Sequence, residues 1–438
     1  VLIGLDGATF TVLDPLMEEG VMPFLKEFVA SGVRAKLLSV IPPLTPPAWT
    51  SMMTGRSPGN HGIFDFLRFE SPDSRYLTLN NSRHVRCETI WSIVSRQGLK
   101  AASLNFAMMA PIRPVLGYII PGWVPWRHMR RVFYPPGLYD RLKALPKFNL
   151  KEMAMDLNMD EKAVEGCPEE DYEDWIQLHI RREQHWFEIL RYLMQEDSCH
   201  LMGIVFDGVD KLQHLCWRFL DPALLPQKPS PWEQKVRSLC LDYFRQLDQF
   251  IAEVVALAGP EANVFLASDH GFSATVEIFY LNAWLHQQGY LEWANDAPVN
   301  RNASRKLGLD LPRKQAYLLD WAKTTAYALT PSSNGIHICV AGQRGEEGIP
   351  PEDYWRFRQE LMESLRRFTH PETGQPVLTQ IRPREEIFAG SQMQDAPDLT
   401  LTLRDGGLIS ILKSDVLLEP RPKPVSYTHL RAHETGRN

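Results

Sequence analysis

Thr45 is the first residue of this chain whose surroundings suggest chemistry. It precedes Pro46 and Pro47, a helix-compatible run and then Gly55. Proline is tolerated in a first helical turn and glycine commonly ends helices, so the pattern predicts a helix with Thr45 as its N-cap. We expect the backbone N–H groups of such a helix start to face an anion such as a phosphoryl group. A hydroxyl there could act as a nucleophile, although a capping threonine without chemistry is the commoner case.

Metal-ligating residue types follow three apolar runs, at 1–5, 200–206 and 263–268, which are predicted to be buried parallel strands. The residues concerned are Asp6, Asp210, His214, Asp269 and His270. Ligands bind at the carboxyl ends of strands in open α/β sheets, and the i,i+4 spacing of Asp210 and His214 puts both on one helical face. Carboxylate and imidazole groups are ligands for zinc, so a metal site is predicted where the strands end.

The elements that must position these residues alternate between strands and helices. Further strands are predicted at 33–40, 101–106, 334–340 and 398–403, the last being the final strand. Helices are predicted at 22–31, 89–97, 236–254, 281–288 and 354–368. The alternation predicts an α/β fold in which a mostly parallel sheet is flanked by helices.

The stretch 121–199 has a different character, because tryptophan and arginine are interleaved there without a strand pattern. We predict a largely helical insertion, or cap near the site, whose arginines are solvated. A pocket for an anionic or planar group is the alternative. The remainder, 1–120 and 200–424, is predicted to be the core, with an irregular polar loop at 294–314. Residues 425–438 are expected to be a non-native tail resembling a translated sequencing adapter.

Composition narrows the functional classes. The 438 residues carry a net charge of -6, whereas an overall positive charge is typical of nucleic-acid-binding proteins. No apolar run approaches the roughly 20 residues of a membrane-spanning helix. Six scattered cysteines without a CxxC pair favour reduced thiols, so a cytoplasmic location is expected. The chain starts at Val1 without an initiator methionine, which leaves a lost signal peptide open, and its oligomeric state is not indicated.

Taken together, these motifs resemble the type I phosphodiesterase and nucleotide pyrophosphatase branch of the alkaline phosphatase superfamily. The segments that carry the resemblance are Gly4-Leu5-Asp6-Gly7, the run from Thr45 to Gly55 with His61-Gly62-Ile63 after it, Asp210-xxx-His214, and Asp269-His270-Gly271. The resemblance implies an alkaline phosphatase-like fold and two divalent metal ions, zinc first and manganese or iron as alternatives. By that carry-over one ion is bound by Asp6, Thr45, Asp269 and His270, and the other by Asp210, His214 and His337.

Two features depart from the better-known members. Their His-Gly-Ile is followed within a few residues by an asparagine that holds a phosphate oxygen, whereas this chain reads Phe64-Asp65-Phe66. His337 lies in a Gly-Ile-His-Ile strand instead of a His-Gly context. A lone histidine in a strand is more often a core or face residue, but a zinc site needs a third protein ligand, so His337 is predicted to supply it.

The resemblance implies hydrolysis of small phosphate esters, either phosphodiesters or nucleotide pyrophosphates, through a phosphothreonine intermediate at Thr45. Phosphomonoester hydrolysis is an alternative within the same superfamily. A metal-binding module without catalysis is an alternative from another class. Sulfatase activity is disfavoured, because no cysteine or serine lies in the Cys-x-Pro-x-Arg context that formylglycine formation requires. The leaving group of the substrate is not indicated by the sequence.

Overall fold

The chain folds into two compact units. The structure, a computed structural model, describes residues 1–71, 74, 76–146, 148–156, 159–160, 167–295, 318–342 and 347–420. The first unit comprises Val1–Arg56 and Asn81–Phe272, and the second comprises Ser57–Asn80 and the described residues from Ser273 onward. The predicted tail at 425–438 lies outside the described residues, as does the predicted loop at 294–314 from residue 296 on.

The secondary structure alternates between strands and helices, as predicted. The strands are β1 Leu2–Leu5, β2 Leu67–Phe69, β3 Leu77–Leu79, β4 Ala101–Leu104, β5 Gly117–Ile120, β6 Leu201–Phe206, β7 Phe265–Ala267, β8 Glu277–Tyr280, β9 Ala326–Tyr327, β10 Gly335–Ile338, β11 Leu378–Pro383, β12 Leu399–Leu403, β13 Ile409–Ser410 and β14 Leu418–Pro420. The helices are α1 Phe10–Glu18, α2 Pro23–Ser31, α3 Thr45–Thr54, α4 Pro58–His61, α5 Ile90–Arg96, α6 Trp126–Met129, α7 Leu138–Leu142, α8 Leu150–Met153, α9 Asp171–Glu196, α10 Gly208–Leu220, α11 Pro231–Ala258, α12 Leu281–Gln287, α13 Tyr354–Arg367 and α14 Arg384–Ile387.

The sheet of the first unit positions the candidate site. Its strands run in the order β5-β4-β6-β1-β7, and every described pairing in it is parallel. Strand β1 lies between β6 and β7, with Leu5 opposite Phe206 and Gly4 opposite Ala267. Because these strands are parallel neighbours, their carboxyl ends lie at one edge. The predicted fold class, α/β with a mostly parallel sheet flanked by helices, is confirmed.

An aromatic cluster holds α3 against this sheet. The rings of Trp49 and Trp91 both contact Phe106 edge-on, at centroid distances of 5.4 and 5.2 Å. Strand β1 accommodates Trp49 because residue 4 is glycine: a Cβ atom at Gly4 would lie 2.4 Å from the indole ring. The close approach fixes the helix that begins at Thr45 relative to the strand that leads to Asp6.

Side-chain hydrogen bonds satisfy the first N–H groups of helices α11 and α2 in the first unit. Helix α11 starts with a capping box in which the Ser230 and Glu233 side chains bind each other's backbone N–H groups. Midway along α11, Asp248 accepts hydrogen bonds from the backbone N–H groups of Phe24 (3.0 Å) and Leu25 (2.8 Å) at the start of α2. A side chain from a distant helix therefore satisfies the first donors of α2.

The strands of the second unit pair mostly antiparallel, and the described exception is the parallel pair of β13 and β8. Strands β11, β12, β10 and β9 form its largest described sheet, and β13 and β14 flank β8 in another. The predicted final strand at 398–403 corresponds to β12, but β13 and β14 follow it, so the prediction that the strands end there was wrong. Both later strands are only two or three residues long, too short to show an alternating pattern.

The predicted strand at 33–40 was also wrong. None of these residues belongs to a strand, and Val33, Leu37 and Leu38 are 99%, 70% and 71% exposed. An apolar run becomes a strand only where a neighbouring strand completes its backbone hydrogen bonds, and this segment has no such neighbour in the described part of the chain.

The described residues of 121–199 form helices and a 3₁₀ turn without a strand. That they form an insertion stays a prediction. Its boundaries and its role as a cap near the site stay predictions. Among the described residues, no helix is both long enough and apolar enough to cross a membrane.

Candidate metal centre

The ends of β1 and β7 are joined directly. Gly7 has a positive φ of 65°, and its N–H donates a hydrogen bond of 3.1 Å to Oδ1 of Asp269. A Cβ atom at Gly7 would lie 3.0 Å from Oδ1 of Asp210, so the third carboxylate packs against the same turn. The strand ends therefore bring together the acidic residues that were predicted from the sequence to lie there.

Thr45 is the first residue of α3, and Leu44 occupies the N-cap position, so the predicted N-cap was wrong by one residue. A capping side chain binds the N–H two or three residues later. From Thr45 those positions are Pro47, which has no N–H, and Ala48, whose N–H bonds to the carbonyl of Leu44 at 2.9 Å. The buried Thr45 hydroxyl is instead free to contact His270, with Oγ1 lying 3.1 Å from Nε2.

The expectation that several N–H groups of this helix start face a phosphoryl group was wrong for the same reason. Pro46 and Pro47 carry no N–H, and that of Ala48 is already bonded within the turn. The first turn of α3 therefore offers an anion only the N–H of Thr45 itself, and other groups must supply most of the positive charge.

His270 lies at the centre of the group. Its Nδ1 is 3.0 Å from the carbonyl oxygen of Gly271, which can only accept, so Nδ1 carries a proton and Nε2 is the ring nitrogen left to bind a metal ion. That Nε2 is 3.3 Å from Oδ2 of Asp269 and 3.4 Å from Oδ1 of Asp6. Asp6, Asp269 and His270 form a buried group whose ligand atoms lie within 4.8 Å of one another, close enough to hold a metal ion.

The residues present fit a bound cation. Oδ1 of Asp6 and Oδ2 of Asp269 are buried and have no hydrogen-bond partner. Burial, reinforced by the charges of Asp269 and Asp210, raises the pKa of Asp6 well above its usual range. Burial likewise raises the pKa of Asp269 to about 6, partly offset by His270 and the Gly7 N–H. Unpaired buried carboxylates are costly unless a cation neutralises them, and this set of oxygen and imidazole ligands suits zinc, manganese or iron.

Asp210 and His214 form a second pair on α10. As the i,i+4 spacing predicted, they face each other, with Nε2 of His214 3.1 Å from Oδ2 of Asp210. Burial favours the neutral form of Asp210, but the contact with His214, helped by His270, outweighs it and lowers the pKa of Asp210. Nδ1 of His214 is buried without a hydrogen-bond partner, and the ring packs edge-on against Phe272 at 5.2 Å. The pair offers two ligands to a further ion.

His337, the predicted third ligand of that ion, lies on β10 in the second unit. It stands opposite Tyr327 in the strand register, and the two rings stack at a centroid distance of 5.5 Å. Its assignment as a ligand stays a prediction. Asp65 also lies in the second unit, buried and accepting hydrogen bonds from the hydroxyl groups of Thr330 and Ser332.

Two residues at the centre were not identified from the sequence. The indole Nε1 of Trp49 donates to Oδ2 of Asp6 at 3.1 Å, and Nε2 of Gln213 donates to the carbonyl of Gly7 at 2.8 Å. Helical spacing could have indicated both, because Trp49 follows Thr45 by four positions and Gln213 follows Asp210 by three.

Residues 1–420 match the family described as type I phosphodiesterase / nucleotide pyrophosphatase. The chain belongs to this family. Membership of the type I phosphodiesterase / nucleotide pyrophosphatase family indicates a hydrolase of phosphoesters. The matched range includes the strand ends and both compact units, so the resemblance deduced from the motifs is confirmed.

Two solved structures of low sequence identity resemble this chain, and the first of them supports the fold. Phosphonoacetate hydrolase from Sinorhizobium meliloti 1021, in complex with phosphonoacetate, is 15% identical with a TM-score of 0.53, and the match covers 97% of this chain and 87% of that one. Murine ectonucleotide pyrophosphatase / phosphodiesterase 5 is 15% identical with a TM-score of 0.49, over 98% of this chain and 84% of that one. The first likeness agrees with the alkaline phosphatase-like arrangement expected of a type I phosphodiesterase.

Proposed function

We propose that the protein hydrolyses phosphate esters with two divalent metal ions and uses Thr45 as its nucleophile. The observation that carries the proposal is the contact of 3.1 Å between the Thr45 hydroxyl and His270 Nε2, inside a buried group with Asp6 and Asp269. A nucleophile candidate and a candidate metal site thus coincide at one sheet edge. Membership of a phosphoester hydrolase family supports the reaction class.

The residues divide into two ligand sets. Asp6, Thr45, Asp269 and His270 would hold one ion, and Asp210 and His214, with His337 from the second unit, would hold the other. Bound divalent ions supply Lewis acidity, which lowers the pKa of a hydroxyl and neutralises charge on phosphoryl oxygens. Zinc suits these ligands best, and manganese and iron are alternatives.

The chain itself positions the nucleophile. Burial of Thr45 keeps water from competing at its hydroxyl, and the contacts of Trp49 with Gly4 and Asp6 fix the helix start. Attack by Oγ1 on phosphorus forms the Thr45–phosphate bond as the bond to the leaving oxygen breaks, and the leaving group takes up a proton. Water then attacks phosphorus, releasing phosphate or a phosphate monoester and restoring the threonine hydroxyl.

The preferred substrates are small phosphodiesters or nucleotide pyrophosphates, in keeping with the family. Phosphomonoesters are the alternative, because Asp65 stands in the region where the family's asparagine is expected and its carboxylate is already engaged by Thr330 and Ser332. Comparing rates on bis(4-nitrophenyl) phosphate and 4-nitrophenyl phosphate separates the two substrate classes.

Thr45→Ala tests the proposal. We expect hydrolysis of both nitrophenyl esters to fall by about 10³-fold or more, while zinc content stays near that of the wild type. Thr54→Ala is the matched control, because Thr54 lies in the same helix and its buried hydroxyl bonds to backbone groups, donating to the carbonyl of Thr50 and accepting from the N–H of Arg56. Full activity of Thr45→Ala would refute the nucleophile. A wild-type chain that binds no metal and hydrolyses neither ester would instead refute the enzyme assignment.

A further inference from the structure

The turn that leads from β6 to Asp210 is held by two buried charged residues of α9. Oε1 of Glu183 accepts a hydrogen bond of 2.6 Å from the N–H of Gly208, the first residue of α10. Nη2 of Arg182 donates to Oδ2 of Asp207 at 2.9 Å. Arg182 is only 5% exposed, so the prediction that the arginines of this insertion are solvated was wrong for this residue.

The packing around Gly208 leaves no room for a side chain at this position. A Cβ atom there would lie 2.6 Å from the hydroxyl oxygen of Tyr243 on α11 and 2.7 Å from Oε1 of Glu183. The turn is therefore packed between α9 and α11. Any displacement of α9 must move the backbone two residues before Asp210.

Helix α9 contacts α10 at more than one point. Trp175, His179 and Glu183 are spaced four residues apart, which places them on one face of α9. The Trp175 indole donates to the carbonyl of Lys211 at 3.2 Å, while Glu183 binds Gly208. His179 lies buried on the same face. The first turn of α10, which contains Asp210, is thus fixed at both of its ends.

Both oxygens of Asp207 are engaged. Oδ1 accepts from Nδ2 of Asn105 at 3.3 Å, and Oδ2 accepts from Arg182, whose Nη1 also donates to the carbonyl of Ala154 at 2.9 Å. Asp207 makes no side-chain cap on its own helix. Glu183 takes over the capping of an N–H that a helix start leaves without an internal partner.

We propose that Arg182 and Glu183 are positioning residues that hold Asp210 in place for metal binding, so that the helical insertion forms part of the metal centre. The inference rests on the proposed function, because it concerns the ion assigned to Asp210 and His214. Neither residue has a described contact with a proposed ligand side chain. Residues that orient metal ligands in this way commonly change metal affinity by about 10–100-fold when they are replaced.

Zinc titration of the metal-free full-length chain against a chelating indicator tests the inference. We expect two binding steps in the wild type, and in Glu183→Leu we expect one step to weaken about tenfold or more while the other is unchanged. Glu183→Gln keeps the acceptor for the Gly208 N–H and should bind within about threefold of the wild type. Glu173→Leu, on the exposed side of α9, is the matched control and should leave both steps unchanged.

A double substitution identifies the affected ion. Asp210→Asn alone should remove one binding step, and adding Glu183→Leu should weaken the remaining step no further, because both changes act on the same ion. If Glu183→Leu does not fold by circular dichroism, Arg182→Lys serves instead. Its amine keeps the charge but cannot reach both Asp207 and Ala154, so the same step should weaken.

The outcomes separate the two proposals. Unchanged steps in a folded Glu183→Leu or Arg182→Lys variant, or equal weakening of both steps, would overturn the positioning role and leave the proposed function standing. A wild-type chain without zinc binding would overturn the proposed function itself, and the positioning role with it.

Discussion

The indole of Trp49 donates a hydrogen bond of 3.1 Å to Oδ2 of Asp6, linking the helix of the candidate nucleophile to the end of strand β1. The other carboxylate oxygen, Oδ1, has no hydrogen-bond partner and lies 3.4 Å from Nε2 of His270. One oxygen of Asp6 is therefore fixed by the protein, and the other faces the candidate metal site. The bond also lowers the pKa of Asp6, against the larger opposing effect of burial.

Trp49→Phe should weaken zinc binding by about tenfold, because it removes a donor to a buried carboxylate and keeps most of the ring packing. The measurement is zinc titration of the metal-free chain. Trp91→Phe is the control, since Trp91 is equally buried but its Nε1 has no hydrogen-bond partner. Equal zinc affinity in the two variants would contradict a role for the Trp49 hydrogen bond.

Zinc affinity should decrease below about pH 6, because burial raises the pKa of Asp269 from 3.8 to about 6 and a proton then competes with the metal. One competing proton reduces the affinity about tenfold per pH unit. The folded metal-free chain retains this proton between the two pKa values, where the unfolded chain has released it. Its free energy of unfolding should therefore fall as the pH rises from about 4 to about 6.

Zinc titrations and chemical denaturation between pH 4 and pH 8 measure both effects. Asp269→Asn cannot titrate at this position, so it should flatten both profiles between about pH 4 and pH 6, apart from the contribution of Asp6. A wild-type stability that rises with pH in this window would have the wrong sign for a carboxyl group with a raised pKa.

Asp248→Ala should lower the free energy of unfolding by about 1–2 kcal/mol, the usual cost of losing a helix cap, because the N–H groups of Phe24 and Leu25 lose their acceptor. Urea denaturation measures the loss. Asp242→Ala, on the same helix but in an exposed pair with Arg245, should change stability by less than about 0.5 kcal/mol. Similar losses in both variants would argue against the capping role.

His337→Gln tests the remaining ligand assignment. If His337 is the third ligand of the second ion, this variant should bind one zinc ion with wild-type affinity and the other at least about tenfold more weakly. His286→Gln, a partly exposed histidine of the same unit, is the control and should bind like the wild type. Undiminished binding of both ions by His337→Gln would remove it from the ligand set.

The strand ends could be predicted because their signal is local. Short apolar runs that end at Asp6, Asp207 or Asp269 mark buried parallel strands, with Asp210 three residues after the second of them, and parallel strands bring their carboxyl ends to one edge. The contact between Asp210 and His214 could be predicted equally well from their i,i+4 spacing. The apolar runs do not indicate the order of the strands in the sheet, because that order depends on which apolar faces pack against each other.

The errors arose where partners are distant in sequence. Val33, Leu37 and Leu38 have the apolarity of a strand but no described strand beside them, which a local pattern cannot reveal. Arg182 lies on an amphipathic helix and resembles a solvated arginine until its partner Asp207 is known. The N-cap error is the exception, because its cause is local: Leu44 is the N-cap and Thr45 the first helical residue, since Pro47 and Ala48 offer no N–H to a capping side chain at Thr45.

The hydrogen bond between Gly7 and Asp269 joins residues 262 positions apart, and this separation sets an order of events during synthesis. At about 5–20 residues per second, roughly 15–50 s pass between translation of the first strand and translation of the last one in its sheet. Throughout that time β1 lacks β7, and Asp6 lacks both Asp269 and His270. A nascent chain therefore cannot assemble the candidate zinc site until His270 has been translated, which ties metal loading to completion of the first unit.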